Sequence, residues 1–392
     1  MSIRIARLAA AAVFAVVAAP AVVTAQTSSW SNTITPEPVP KRTPKAKSAP
    51  APAPAAKAQR GTPVQAASPP AAAPSGPAPG KGAARSVKTA PAPASAAAKL
   101  APLPQSTAPP PKSDNDPAYT AFELGKYLTA LKLAEEAAAK GEPQAHTLIG
   151  RIHAEGLGVP QNHVTAGQWY AKAAELGDVE GALAVGAMLV QGDGVAKDAN
   201  LGAKYLEMAA RKGNPLATYN LALLFLSGEG KPENPIRAFQ LMEYSAEQGL
   251  PVAQYDLGTL HATGTGTTAN IFEAARWIGR AASAGLTEAE LEYGILLFKG
   301  QGLTPDEVRG AYYFKIAAEK GNAVAQNRYA RCLAHGAGVE MNVVEAVKWH
   351  LVAKAAGIED PSLDEIAKKL SRADRLKAEQ GAFSWREQSL MN

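Results

Sequence analysis

The sequence has a single cysteine, Cys332, among 392 residues, so no disulfide can form within the chain. Its six histidines form no His-Glu-x-x-His zinc pair, and it has neither a Gly-x-x-x-x-Gly-Lys-[Ser/Thr] phosphate loop nor a Gly-x-Ser-x-Gly elbow. Aromatic residues make up only 6% of the chain. These absences argue against an enzyme. We therefore expect no catalytic residues, no metal and no cofactor.

Long apolar runs are also missing, since the apolar run near the start of the chain is short. Arg4 and Arg7 precede the run at 8–23, which is broken by Pro20 and ends in Val23-Thr24-Ala25, a small-residue cleavage pattern. A membrane span needs about 20 apolar residues, which disfavours the alternative of an uncleaved anchor. The pattern predicts a signal peptide over 1–25 and an exported protein, periplasmic or, alternatively, secreted.

Acidic residues are nearly absent from 26–112, which is rich in Pro, Ala, Ser and Lys. Glu37 stands against eleven Lys and Arg, a net charge of +10. Such a composition predicts a disordered linker. The whole chain carries +5, so allowing for the linker and the two leader arginines leaves about −7 for 113–392. This negative charge argues against a nucleic-acid partner.

The most prominent pattern is a repeat of 36 residues, present six times over 142–357 without insertion or deletion. One landmark is a glycine that closes each unit: Gly141, Gly177, Gly213, Gly249, Gly285, Gly321 and Gly357. A second is a Gly-x-Gly turn, first at Gly156 and last at Gly336. A fixed period of this length is typical of a solenoid, in which each unit packs on its neighbours.

Each unit has the pattern of two helices. The first carries a position restricted to Gly or Ala, which predicts close approach of a partner helix: Gly150, Gly186, Ala222, Gly258, Gly294 and Ala330. The second follows an N-cap residue that is always Asn or Asp: Asn162, Asp198, Asn234, Asn270, Asp306 and Asn342. The Gly-x-Gly turns follow helices rather than strands, so we reject a dinucleotide-binding function for them.

These units resemble the Sel-one-like repeat family, which is related to tetratricopeptide repeats. The resemblance rests on Ala-x-x-x-[Leu/Ile/Tyr]-Gly, the Gly-x-Gly turn, the Asn/Asp cap, aromatic pairs such as Trp169-Tyr170, and Ala-Ala-x-x-Gly. It implies an all-α, right-handed superhelical solenoid. Unit three departs from the pattern, with Lys231-Pro232 after the turn. We expect 113–141 to be an N-terminal helical cap. We expect 358–392 to be a C-terminal capping helix, over Ser362–Gln380, and a tail.

By similarity to tetratricopeptide superhelices, one row of first-helix residues should line the concave surface and bind a peptide or helix. Tyr219 and Tyr255 would be its anchors, since tyrosine is enriched at interface hot spots. The alternative is that apolar members of the row, such as Leu223, only pack between adjacent first helices. The predicted partner-binding residues are Arg151, Gln191, Tyr219, Leu223, Tyr255, Thr259, Lys299 and Arg331.

The family resemblance favours an exported scaffold or regulator that binds a protein partner, such as the periplasmic domain of a membrane protein. A second hypothesis is a cell-wall or membrane-surface protein, tethered when the basic linker contacts anionic envelope polymers. A secreted host-interaction factor is a variant of the first hypothesis.

Overall fold

The computed structural model describes residues 116–391, so the predicted signal peptide and linker lie outside the described residues. Over this range the chain is entirely helical, with sixteen α-helices and no β-strand. The helices are α1 Pro117–Glu123, α2 Tyr127–Ala138, α3 Pro143–Glu155, α4 His163–Glu175, α5 Val179–Gln191, α6 Ala199–Arg211, α7 Pro215–Ser227, α8 Pro235–Glu247, α9 Pro251–Thr263, α10 Ile271–Ser283, α11 Thr287–Lys299, α12 Glu307–Glu319, α13 Ala323–His335, α14 Val343–Ala355, α15 Pro361–Lys369 and α16 Arg372–Met391.

Local sequence signals set the ends of the paired helices. The side chain of every predicted Asn or Asp cap accepts a hydrogen bond from a backbone N–H group of the second helix that it precedes. For example, the Arg309 amide donates a 2.9 Å hydrogen bond to Asp306. Every first helix ends at the first glycine of Gly-x-Gly, with φ between 64° and 77°. In that left-handed conformation the glycine N–H donates a hydrogen bond to a carbonyl oxygen in the last turn of the helix. Unit three keeps this geometry, and its Lys231 ammonium lies 2.6 Å from Glu207.

Within a unit the two helices approach closely at the position restricted to Gly or Ala. A Cβ atom added to Gly258 would lie 2.6 Å from Cγ1 of Ile278, and one added to Gly294 would lie 2.7 Å from the Phe314 ring. Alanine occupies this position in units three and six. In those units the residue twenty positions later is Met242 or His350, in place of the Ile278 and Phe314 of units four and five. The predicted close packing is confirmed.

Units stack through helix and loop contacts. From α1 to α15 each helix packs against the next one, and α16 packs on α14. The second glycine of each turn lies on the second helix of the preceding unit. A Cβ at Gly266, for example, would collide with the Pro235 carbonyl oxygen. Buried aliphatic, alanine and aromatic residues run along the whole stack, and they include Cys332, as expected. No helix within 116–391 is long and apolar enough to cross a membrane.

The two ends differ in how well the sequence predicted them. At the N-terminal end α1 and α2 form the expected short helix pair. At the C-terminal end the prediction of a single helix over 362–380 is wrong, because this segment is divided between two helices, α15 and α16. The backbone of Leu370 is extended, and the Ser371 hydroxyl oxygen accepts a 3.1 Å hydrogen bond from the Asp374 amide. Ser371-x-x-Asp374 is therefore a helix-start signal that the sequence analysis missed.

Candidate functional site

The candidate site is the inner surface, formed by the first helices α3, α5, α7, α9, α11 and α13. Among the first helices, α3 contacts α5 and α5 contacts α7, and the Tyr219 hydroxyl on α7 bonds Asp256 on α9. Since the elements on the inner side of a curved stack come closest together, this contact indicates that the first helices line the inner side of the solenoid.

Tyr219 and Leu223 lie in the central part of this surface, and both are buried at 6% exposure. The Tyr219 hydroxyl donates a 2.7 Å hydrogen bond to the Asp256 carboxylate and so links α7 to α9. Burial, followed by the nearby Asp256 charge, raises the pKa of Tyr219. Leu223 belongs to the main core cluster, as the packing alternative expects. Contact of either residue with a partner stays a prediction.

Tyr255 and Thr259 lie one unit further along and are more accessible. Tyr255 is half-buried, and Thr259 is exposed with its hydroxyl bonded to the Tyr255 carbonyl at 3.3 Å. Burial, followed by the charges of the Glu292, Asp256 and Glu288 carboxylates, raises the pKa of Tyr255 to about 12. The phenol therefore stays neutral and lies in an acidic environment.

The two arginines expected at the basic ends of the row contact the terminal parts of the solenoid. The Arg151 guanidinium lies 4.8 Å from the centre of the Phe122 ring and 2.8 Å from Glu155. Arg331 Nε lies 2.6 Å from the Asp360 carboxylate, which is 1% exposed and caps α15. Both arginines thus help to hold the flanking helices in place, an arrangement that the sequence analysis did not foresee.

Gln191 and Lys299 occupy the last position of their helices, each directly before a left-handed glycine. Gln191 is exposed and Lys299 is half-buried. The pKa of Lys299 is lowered, chiefly by burial. The Glu292 charge opposes this shift, and the Arg328 charge adds to it. All eight predicted residues therefore lie on first helices, but they differ widely in accessibility and in the contacts they make.

A second row, directly C-terminal to the tyrosines, was missed. The residues at this position are Leu148, Ala184, Asn220, Asp256, Glu292 and Arg328, so it turns from apolar to polar at unit three. Burial raises the pKa of both Asp256 and Glu292. Asn220 is fully buried, and neither atom of its amide has a hydrogen-bond partner. Comparing this position across the six units would have revealed the change.

The inner surface of units three to five therefore combines a half-buried phenol with incompletely solvated carboxylates. Such carboxylates favour a cationic partner group, because pairing offsets the cost of their desolvation. No group of three or more potential metal ligands occurs within 116–391.

An all-α stack of paired helices defines the protein as a helical-repeat solenoid, a class built to bind other macromolecules. Six consecutive segments match the Sel1 repeat: 143–178, 179–214, 215–250, 251–286, 287–322 and 323–358. They cover just over half of the chain, so the protein belongs to the Sel1 repeat family. Repeats of this family generally mediate protein–protein interaction.

The chain is similar to two solved structures. A Sel1 repeat protein from Oxalobacter formigenes is 29% identical, with a TM-score of 0.57, and the match covers 61% of this chain and 98% of that one. A protective antigen with an SLR fold from uropathogenic Escherichia coli, c5321, is 24% identical, with a TM-score of 0.46 and coverage of 70% and 69%. Among curated proteins no match was found.

Proposed function

We propose that this protein is an exported scaffold or regulator that binds a protein of the bacterial envelope and has no catalytic activity. The Sel1 repeats support the interaction role, and the leader pattern over 1–25 supports export to the periplasm. The partner in this proposal is a peptide, a helix or a periplasmic domain of a membrane protein complex.

The observation that carries the proposal is the acidic environment of Tyr255 on the inner surface. Tyr255 is half-buried, Asp256 and Glu292 are half-buried carboxylates, and Thr259 beside them is exposed. An apolar ring with a polar tip contributes contact area at low entropic cost, and the carboxylates select for positive charge. The partner segment should therefore carry a lysine or arginine next to an apolar side chain.

The test begins with a crosslinking pull-down of the full chain from the envelope of its own host. Affinity for the recovered protein is then measured for Tyr255→Ala, Asp256→Asn and Glu292→Gln. A central aromatic costs about 2 kcal/mol or more on truncation, roughly a thirtyfold loss of affinity. The two charge variants should bind more weakly and should also lose part of the salt dependence.

Lys204→Ala is the matched control, because Lys204 is exposed on the second helix α6. Tyr219→Phe separates folding from binding at the neighbouring tyrosine, since it removes only the hydroxyl that bonds Asp256. Melting temperatures are measured for every variant. Unchanged affinity in Tyr255→Ala, Asp256→Asn and Glu292→Gln would refute the inner-surface site, and lower melting temperatures without a specific binding defect would show that these residues only pack.

A second candidate function is tethering to an anionic surface, and the charge distribution of the sequence favours it. Residues 26–112 carry +10, whereas 113–392 carry about −7. The test replaces 26–112 with a Gly/Ser tract of equal length and measures binding to anionic lipid vesicles. Binding that disappears on replacement and in moderate salt would support tethering. Equal vesicle binding by both chains, or by neither, would exclude it.

A further inference from the structure

The C-terminal helix α16 has one face packed against the solenoid and one face without a partner. Ala378 and Ala382 are buried against the stack at 1% and 6% exposure, and the Trp385 ring lies 5.5 Å from that of Trp349 on α14. On the other face Leu376, Phe383 and Leu390 are 53%, 62% and 87% exposed.

The three exposed residues form a straight stripe, because they are spaced by seven positions. Each residue advances about 100° around an α-helix, so Phe383 lies about 140° from Ala378, on the opposite side of α16 from the packed face. Spacing by seven is the pattern by which one helix packs along another. A helix that ends a solenoid normally has a polar outer face, which keeps the stack soluble. The outer face of α16 instead carries an apolar seam.

This stripe is symmetric about its centre. Phe383 has a leucine seven residues before it and another seven residues after it. A two-fold axis through Phe383 therefore places Leu376 of one chain opposite Leu390 of the other, and Phe383 opposite itself. Such self-matching is the requirement for an isologous interface, in which the same patch is used by both copies.

The charges beside the stripe have the same symmetry. Glu379 and Arg386 lie on one flank of α16, both are exposed, and neither forms an ion pair with another described residue. In an antiparallel pair the same flanks of the two helices face each other, so Glu379 of each copy comes level with Arg386 of the other. Gln380 and Glu387 meet in the same way on the second flank, as a hydrogen-bonding pair.

We propose that α16 is a dimerisation helix, which pairs antiparallel with α16 of a second copy of this chain. The seam from Leu376 to Leu390 is about 21 Å long at 1.5 Å per residue, and it offers three apolar side chains per copy. An interface of this size belongs to the weak class, with dissociation constants roughly in the micromolar range. Dimerisation would place two inner surfaces in one particle and so give bivalent binding of a partner.

Sedimentation equilibrium of the full chain, over concentrations that bracket the micromolar range, is the primary test. We expect a reversible monomer–dimer equilibrium that Phe383→Arg weakens at least about tenfold, since it places two like charges at the two-fold axis. The matched control is Phe272→Arg on α10, which alters a similarly exposed phenylalanine (70%) and should leave the equilibrium unchanged. Both side chains are exposed, so neither variant should change the melting temperature.

Charge exchange and crosslinking test the antiparallel arrangement. Glu379→Arg should weaken the dimer about tenfold, because each arginine then faces Arg386 of the other copy, and adding Arg386→Glu to the same chain should restore it. A mixture of Leu376→Cys and Leu390→Cys chains should form a mixed disulfide under mild oxidation, faster than either variant crosslinks with itself. A monomer at every concentration, or a dimer that responds to Phe272→Arg but not to Phe383→Arg, would overturn the proposal.

Discussion

The close approach of α9 and α10 at Gly258 yields a prediction in which two effects oppose each other. Replacing glycine by alanine inside a helix normally stabilises it by about 1 kcal/mol. Here the added methyl group would lie 2.6 Å from Cγ1 of Ile278 and 3.1 Å from the Ala274 carbonyl oxygen. Overpacking of a buried site costs about 1–3 kcal/mol. We therefore expect Gly258→Ala to lower the free energy of unfolding, by up to about 2 kcal/mol.

Unit three provides the compensating change. It has Ala222 where unit four has Gly258, and Met242 where unit four has Ile278. Methionine is unbranched at Cβ and adapts to irregular space, so it can make room for the methyl group. Ile278→Met alone should cost less than about 1.5 kcal/mol. The double variant should be more stable than the two single changes imply, with a coupling of about 1 kcal/mol.

Urea denaturation of the four chains, followed by far-ultraviolet circular dichroism, measures this cycle. Gly381→Ala on α16 is the control, because the atom nearest to its new methyl group is Cδ of the flexible Lys348 side chain at 3.1 Å. This variant should be neutral or stabilised by up to about 1 kcal/mol. If Gly258→Ala is stabilised just as much, the close approach of α9 and α10 does not limit side-chain size and the reasoning fails.

Two further predictions concern the helix ends. Asp306→Ala removes the acceptor for the Arg309 amide and should cost about 1 kcal/mol, whereas Asp306→Asn keeps it, so equal losses in urea denaturation would contradict a capping role. Arg331→Leu should cost about 3 kcal/mol near neutral pH, because it leaves the buried Asp360 carboxylate without its cation. Burial opposes the shift, but hydrogen bonds from Arg331 and Asn327 lower the pKa of Asp360. This stabilisation is therefore present above the ordinary aspartate pKa and is lost as pH falls through the lower folded value. The difference between Arg331→Leu and wild type should shrink on acidification, and a difference that does not change with pH would refute this assignment.

Much of the fold follows from signals that act over one helical turn. The Asn and Asp caps, the left-handed glycines and the restricted Gly/Ala position each have a local physical cause, so their spacing predicted both the helix pairs and the solenoid. The C-terminal helix break was missed although Ser371 and Asp374 are a local signal, because the apolar spacing of Leu363, Ile366 and Leu370 resembled one continuous helix.

The candidate site was less predictable, because accessibility depends on how units stack. Tyr219 and Tyr255 occupy the same position in adjacent units, yet the first is buried and bonded to Asp256, whereas the second is half-buried among three carboxylates. Their different contacts arise between neighbouring units. A repeat pattern treats equivalent positions as equal, so it cannot distinguish them.

The sequence by itself therefore determined the period, the helix pairs and the family, since these depend on short-range geometry repeated six times. Only the tertiary structure decided which inner residues are accessible, that Arg151 and Arg331 hold the flanking helices, and that α16 presents Leu376, Phe383 and Leu390 to solvent. The physical reason is that burial and ion pairing depend on what lies across an interface between helices that are remote in the sequence.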